Sequence, residues 1–183
     1  ACRFQWCTLS RMTSQITAAR ERHPPPDWNA LAKKIRDWGR GLGFDEIGIA
    51  GTDLGADEAR LVAWIKAGRH GTMDYMARHG ARRARPAELV PGTLTIITAR
   101  MNYLPPAARA SEEVLADPAK AFIARYALGR DYHKVLRAKL QKLALIIRDE
   151  TGPFGHRVFT DSAPVLEVAL AAKSGLGWRG KHT

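Results

Sequence analysis

A chain of 183 residues fits one ordinary domain, with 45% apolar and 26% charged residues that exclude disordered, collagenous and membrane-spanning classes. Against 18 acidic residues stand 29 Lys and Arg, a net charge of +11, which points to a polyanionic partner such as nucleic acid. The two cysteines, Cys2 and Cys7, exclude a disulfide framework and a four-cysteine metal site and leave at most one bridge between them.

Residues 1–26 carry Arg3, Arg11, Arg20 and Arg22 against Glu21 alone and hold no apolar stretch of secretory length, so they read as a disordered leader with Met12 as a natural start. Pro24-Pro25-Pro26 closes it. Asp27 then offers a cap to a helix marked by Leu31, Ile35, Trp38 and Leu42, ended by Gly41 and Gly43. Phe44 to Ala50 predicts a strand, Leu61, Trp64 and Ile65 a second helix, and Leu94 to Ala99 a buried strand bounded by Pro91-Gly92 and Asn102. Pro105 and Pro106 close that segment.

Asp131 to Thr151 is the clearest helix, with Leu136, Leu140, Leu143 and Ile147 on one stripe and Gly152-Pro153 after it. Arg157 to Thr160 predicts a short strand. Ser162 is expected to cap a last helix with Pro164 in its first turn and Gly175 at its exit. The interspersed elements predict an α/β (α+β) fold in which helices flank a mixed sheet, as a single domain over 27–183.

Residues 120–148 hold eight basic side chains against Asp131 alone, so +7 of the total +11 is concentrated there. Lys134, Lys139 and Lys142 lie off the apolar stripe of the Asp131 helix, where they face either solvent or a phosphate backbone. Gly39, Gly41 and Gly43 follow a helix instead of a strand, the wrong context for a phosphate loop, and read as helix termination. The His70–His79 stretch with Met73, Tyr75 and Met76 reads as core packing flanked by two histidines. Asp161 sits where a strand ends, flanked by Phe159 and an apolar run. That position suits a desolvated carboxyl acting as a general acid, or a plain helix cap. No hydrolase motif is present.

Five segments stand in a characteristic order: Gly43-Phe44-Asp45 to Gly48-Ile49-Ala50; His70 to Met76; Pro91-Gly92; Ile123-Ala124-Arg125-Tyr126-Ala127-Leu128-Gly129-Arg130-Asp131-Tyr132-His133; and Asp161-Ser162-Ala163-Pro164-Val165-Leu166-Glu167 with Gly175-Leu176-Gly177-Trp178. Over about residues 28–183 the chain resembles the amino-terminal, cobalamin-binding part of the tRNA epoxyqueuosine reductase family. The resemblance implies an oxidoreductase that reduces epoxyqueuosine at the tRNA wobble position to queuosine and water, with cobalamin and two [4Fe-4S] clusters. Asp161 would be its proton donor, and Arg83, Ala124, Arg125, Tyr126, Tyr132, His133 and Ser162 match segments lining its corrinoid and substrate cleft.

The implied setting is a cytoplasmic monomer with tRNA and an electron donor as partners and no membrane. The cluster-bearing, ferredoxin-like part would lie beyond Thr183, so cluster ligation is not expected of this chain. The chain departs from the family pattern at Arg85, where an acid precedes proline, and at Arg179 and His182. The alternative reading is a corrinoid- or tRNA-binding fragment without turnover.

Overall fold

Ile96 and Ile97 are adjacent, and side chains of adjacent strand residues point to opposite faces. Both are buried, so the sheet that contains them is covered on both sides. The computed structural model of the chain describes residues 2–10, 27–104 and 108–180. Its strands are β1 (Cys2–Ser10), β2 (Glu46–Ala50), β3 (Thr93–Asn102) and β4 (Gly155–Phe159), in the spatial order β2-β3-β1-β4. The α/β class is as expected, but each of the three pairings is antiparallel, which corrects the expected mixed sheet.

The larger correction concerns the leader. Residues 2–10 form an interior strand of the sheet, with Trp6 opposite Thr98 on β3 and opposite Phe159 on β4. Phe4, Trp6 and Thr8 are good strand formers, a signal that the basic composition of the leader obscured. Cys2 and Cys7 therefore stand five residues apart along one extended strand, roughly 16 Å, too far for a disulfide. Residues 11–23 and the Pro24-Pro25-Pro26 boundary lie outside the described residues, as do Pro105 and Pro106.

The helices are α1 (Trp28–Gly41), α2 (Gly55–Lys66), α3 (Asp74–His79), α4 (Pro86–Leu89), α5 (Ser111–Leu115), α6 (Tyr132–Thr151) and α7 (Glu167–Lys173). On one face of the sheet, Ile35 of α1 and Leu136, Leu140, Leu143 and Ile147 of α6 pack with Ile47, Ile97 and Ala99. On the other, Leu170 and Ala169 of α7 pack with Leu54, Ala84, Ile96, Phe159 and Val165. Among the described residues no helix is long and apolar enough to cross a membrane.

The local signals explain most element ends. The Asp27 carboxylate accepts from the amides of Asn29 and Ala30 at 2.9 and 3.1 Å, the side-chain cap its position predicted. Gly43 turns the chain at φ +83°, while Gly39 serves a different purpose from termination. A Cβ there would stand 2.3 Å from Ile47 Cγ1, so its bare backbone lets α1 lie against β2. The expected last helix starts later: α7 begins at Glu167 with no side-chain cap, because 160–166 is an irregular segment whose Leu166 amide donates to the Arg83 carbonyl at 3.0 Å. Ser162 and Asp161 are thus not helix caps.

Candidate active site

The site forms where that irregular segment meets the first turn of α6. Asp161 is the single non-glycine residue with positive φ (+49°) among those described. Left-handed backbone costs roughly 1–2 kcal/mol for a residue with a Cβ, and Asp and Asn tolerate it best. Such strain persists where surrounding structure over-determines it, as at functional sites. The strained turn sets the carboxylate beside α6.

At the start of α6, Asp131 caps the helix by accepting from the His133 amide at 3.0 Å, and the same oxygen lies 2.9 Å from His133 Nδ1. These hydrogen bonds to His133 hold the Asp131 carboxyl below its ordinary range. The Tyr132 hydroxyl donates to Asp161 Oδ2 at 2.5 Å. His133 Nε2 stands 3.9 Å from that same oxygen, and the Tyr132 and His133 rings lie 3.9 Å apart between centroids. Two consecutive helix residues therefore converge on one carboxylate oxygen. The carboxyl of Asp161 is only partly covered: its side chain keeps 32% of its exposure.

An open cleft of about 940 Å³ adjoins this cluster, lined among others by Tyr103, Phe122, Ile123, Tyr126, Leu128 and Tyr132. Tyr126 meets Tyr132 edge to face with centroids 6.2 Å apart. Arg125 lines the cleft and braces its outer wall, donating to the Arg109 carbonyl at 2.7 Å and to Ser111 Oγ at 3.3 Å. Ala124 precedes the 3₁₀ turn that carries Arg125 and Tyr126. Ser162 Oγ accepts from the Thr160 amide at 3.4 Å and stands 3.5 Å from an Arg137 guanidinium nitrogen.

Arg83 belongs to the other face of the sheet. It is buried, its guanidinium donates to the Tyr75 carbonyl at 2.9 Å and lies over the Tyr75 ring, and its Nε has no partner among the described residues. Its own carbonyl accepts from the Leu166 amide at 3.0 Å, which links it to the segment that follows Asp161. Met73 and Tyr75 are exposed, which corrects the core-packing expectation for that stretch. His70 Nδ1 is buried without a partner among the described residues.

The basic face also needs revision. Lys134 and Lys142 are exposed, but Lys139 turns inward and donates to the Leu42 carbonyl at 2.6 Å, which satisfies a backbone acceptor at the end of α1. Arg85 is held by both oxygens of Glu58, at 2.6 and 2.9 Å, and by Glu88 at 2.9 Å. It thereby ties α2 to α4, and the departure from the family pattern has a local structural partner. Arg179 likewise pairs with Asp57; His182 lies outside the described residues. The Tyr132–Asp161 bond and the role of Asp131 beside His133 were missed from sequence, although the Asp-x-His spacing at a helix cap was a usable sign of the second.

Helices flanking an antiparallel sheet, with a strained acid beside a helix start and an open apolar cleft, make this an α/β domain with a candidate site at the edge of α6. The particular family follows from sequence. Residues 83–162 match the family described as epoxyqueuosine reductase QueG, DUF1730, and the chain is 60% identical over 159 residues to the Pseudomonas aeruginosa epoxyqueuosine reductase, covering 87% of this chain and 44% of that protein.

Two solved folds agree. A crystal structure of epoxyqueuosine reductase with an epoxyqueuosine-modified tRNA-Tyr stem loop matches at TM-score 0.63 and 21% identity, over 84% of this chain and 40% of that one. The Bacillus subtilis enzyme, with its catalytic aspartate loop swung out of the active site, matches at TM-score 0.62 and 21% identity over the same shares. The chain belongs to the epoxyqueuosine reductase family and spans less than half the length of these relatives.

Proposed function

We propose that this chain is the proton-delivering, corrinoid-binding part of an epoxyqueuosine reductase, which converts epoxyqueuosine at the tRNA wobble position to queuosine and water. The observation that carries the reading is the strained Asp161 turn, with Tyr132 bonded to its carboxylate at the edge of the cleft. The relationship to enzymes of that name supports it, as does the catalytic aspartate loop of the Bacillus subtilis relative.

Asp161 donates a proton to the departing epoxide oxygen, which lowers the charge an alkoxide would otherwise develop. Tyr132 fixes the direction of the carboxyl through its hydroxyl. The mostly aliphatic and aromatic cleft suits a large, flat cofactor face. Tyr126, Tyr132 and Arg125 would hold a cobalamin there, with Ala124 and His133 adjacent to them in sequence and Ser162 next to Asp161. Arg83 keeps an unused Nε donor. Cobalamin, when bound, supplies the two reducing electrons.

The clusters do not fit this chain, because two cysteines cannot provide four thiolates for either of them. Electrons therefore reach the cleft from groups outside these 183 residues. Lys134 and Lys142 are its tRNA phosphate contacts, in a cytoplasmic monomer.

Asp161→Asn in the cobalamin-loaded chain, assayed in a single turnover with chemically reduced cofactor and epoxyqueuosine tRNA, is expected to lose about a hundredfold to ten-thousandfold in rate. Asn tolerates the same left-handed backbone, so thermal stability and cobalamin binding should remain near wild type. A wild-type rate in this variant would sink the acid role. The alternative reading is a corrinoid- or tRNA-binding protein without turnover, for which the basic Lys134 and Lys142 face is the observation. That reading predicts no queuosine from the wild-type chain under the same reducing conditions.

A further inference from the structure

We propose that His133 is a positioning residue that recharges Asp161 with protons, with Asp131 fixing the imidazole tautomer; this rests on Asp161 being the acid of the reaction above. The chemistry demands such a source. Both carbon–oxygen bonds of the epoxide break, a carbon–carbon double bond forms with the two electrons from the reduced corrinoid, and the oxygen leaves as water. That oxygen takes two protons, and one carboxylic acid carries one.

The geometry meets the demand. Asp131 Oδ1 lies 2.9 Å from Nδ1 of His133, so that nitrogen carries the hydrogen and Nε2 is the nitrogen that faces Asp161 Oδ2, 3.9 Å away. A gap of that size exceeds a hydrogen bond and closes with a small turn of the ring, as unloaded catalytic sites commonly require. In each pass the Asp161 O–H bond breaks as the bond to the departing oxygen forms, Asp161 takes the Nε2 proton, and the imidazole recharges from solvent. His133 is suited to that exchange, since its side chain retains 45% of its exposure.

Tyr132 touches the same oxygen, but a phenol is a far weaker acid than an imidazolium and serves to orient the carboxyl. Among the described residues, charged and titratable groups beside the imidazole include Asp131 and Tyr132 on its own helix start and Asp161 from the segment after β4. Lys134 acts on Asp131, and Arg137 stands at Ser162.

Two measurements test the relay. In the histidine-labelled chain, nitrogen chemical shifts of neutral His133 should report the Nδ1–H tautomer, against the Nε2–H form that free histidine prefers, and Asp131→Asn should return it to the ordinary mixture. A dominant Nε2–H form in the wild-type chain would overturn the proposal without any activity being measured. In single turnovers with reduced cobalamin, His133→Ala should lose at least about tenfold, with added imidazole restoring much of the rate; Asp161→Asn should show no such rescue.

Full speed in His133→Ala alongside an inactive Asp161→Asn removes the relay and keeps the acid. A wild-type rate in Asp161→Asn removes the acid itself. Loss in His133→Ala without rescue by imidazole assigns His133 to packing and overturns the relay as well.

Discussion

The two flanks of α6 contrast sharply. Toward the sheet, Leu136, Leu140, Leu143, Ala144 and Ile147 are sealed against α1 and the strands. Toward residues 108–130, side chains just as apolar stay open to solvent: Leu115, Phe122, Ile123 and Leu128 all keep about half or more of their exposure or close to it. One flank has its partner within the chain. The other presents an apolar surface of the kind that marks a ligand or partner site, and the acid cluster of Tyr132, His133 and Asp161 lies at its edge. Core stability and chemistry are thus divided between two sides of one helix.

The sharpest way to break that comparison is to truncate one residue on each flank. Leu140→Ala, at a fully buried position, is expected to cost about 2–5 kcal/mol of unfolding free energy in urea titrations. Phe122→Ala, on the open flank, should change stability by less than about 0.5 kcal/mol while weakening cobalamin binding followed by absorbance. Equal stability losses in the two variants would show that the outer flank is closed in solution.

A second comparison lies among three lysines of α6. Lys134→Gln and Lys142→Gln should each lower the log–log salt slope of tRNA binding by roughly 0.7–0.9, with stability unchanged. Lys139→Gln should leave that slope alone and cost on the order of 1 kcal/mol, since its ammonium bonds the Leu42 carbonyl at a partly exposed site. A changed slope for Lys139→Gln in filter-binding titrations would mean that the inward-turned side chain is released to the nucleic acid.

The smallest effect concerns pH. Burial, reinforced by nearby Arg148, holds the His156 imidazole below its ordinary value of 6.5. In the unfolded chain it binds a proton more readily than in the native state, so its contribution to stability is present above about pH 6.5 and is lost as pH falls through the lowered native value. The melting temperature should drop as the pH is lowered across that window, and His156→Gln should flatten the drop. An unaltered pH profile in His156→Gln would assign the dependence to other groups.

The site was partly legible before the fold was known. Asp161 stood out as a carboxylate at a strand end, and its position there is correct, but its side chain is only partly covered and the helix cap at Ser162 failed. The cap depended on where α7 begins, and that start is delayed by the Leu166–Arg83 backbone bond between distant segments. The Met73 and Tyr75 stretch misled for a similar reason. Its apolar side chains look like core, yet α3 is too short to bury them and they stay on the surface.

The amino-acid sequence by itself determined what is settled within a turn or two of chain. The 3.6-residue recurrence of Leu136, Leu140, Leu143 and Ile147 made α6, the Asp27 and Asp131 carboxylates capped their helices, and the β-branched run around Ile96 and Ile97 made β3. Tertiary structure alone decided which distant partners meet: the insertion of Cys2–Ser10 between β3 and β4, the capture of Lys139 by a carbonyl 97 residues away, and the Tyr132–Asp161 bond across 29 residues. Periodicity reports which face of an element is apolar, whereas pairing between strands and convergence of polar groups depend on how those faces stack, information that no local window of sequence contains.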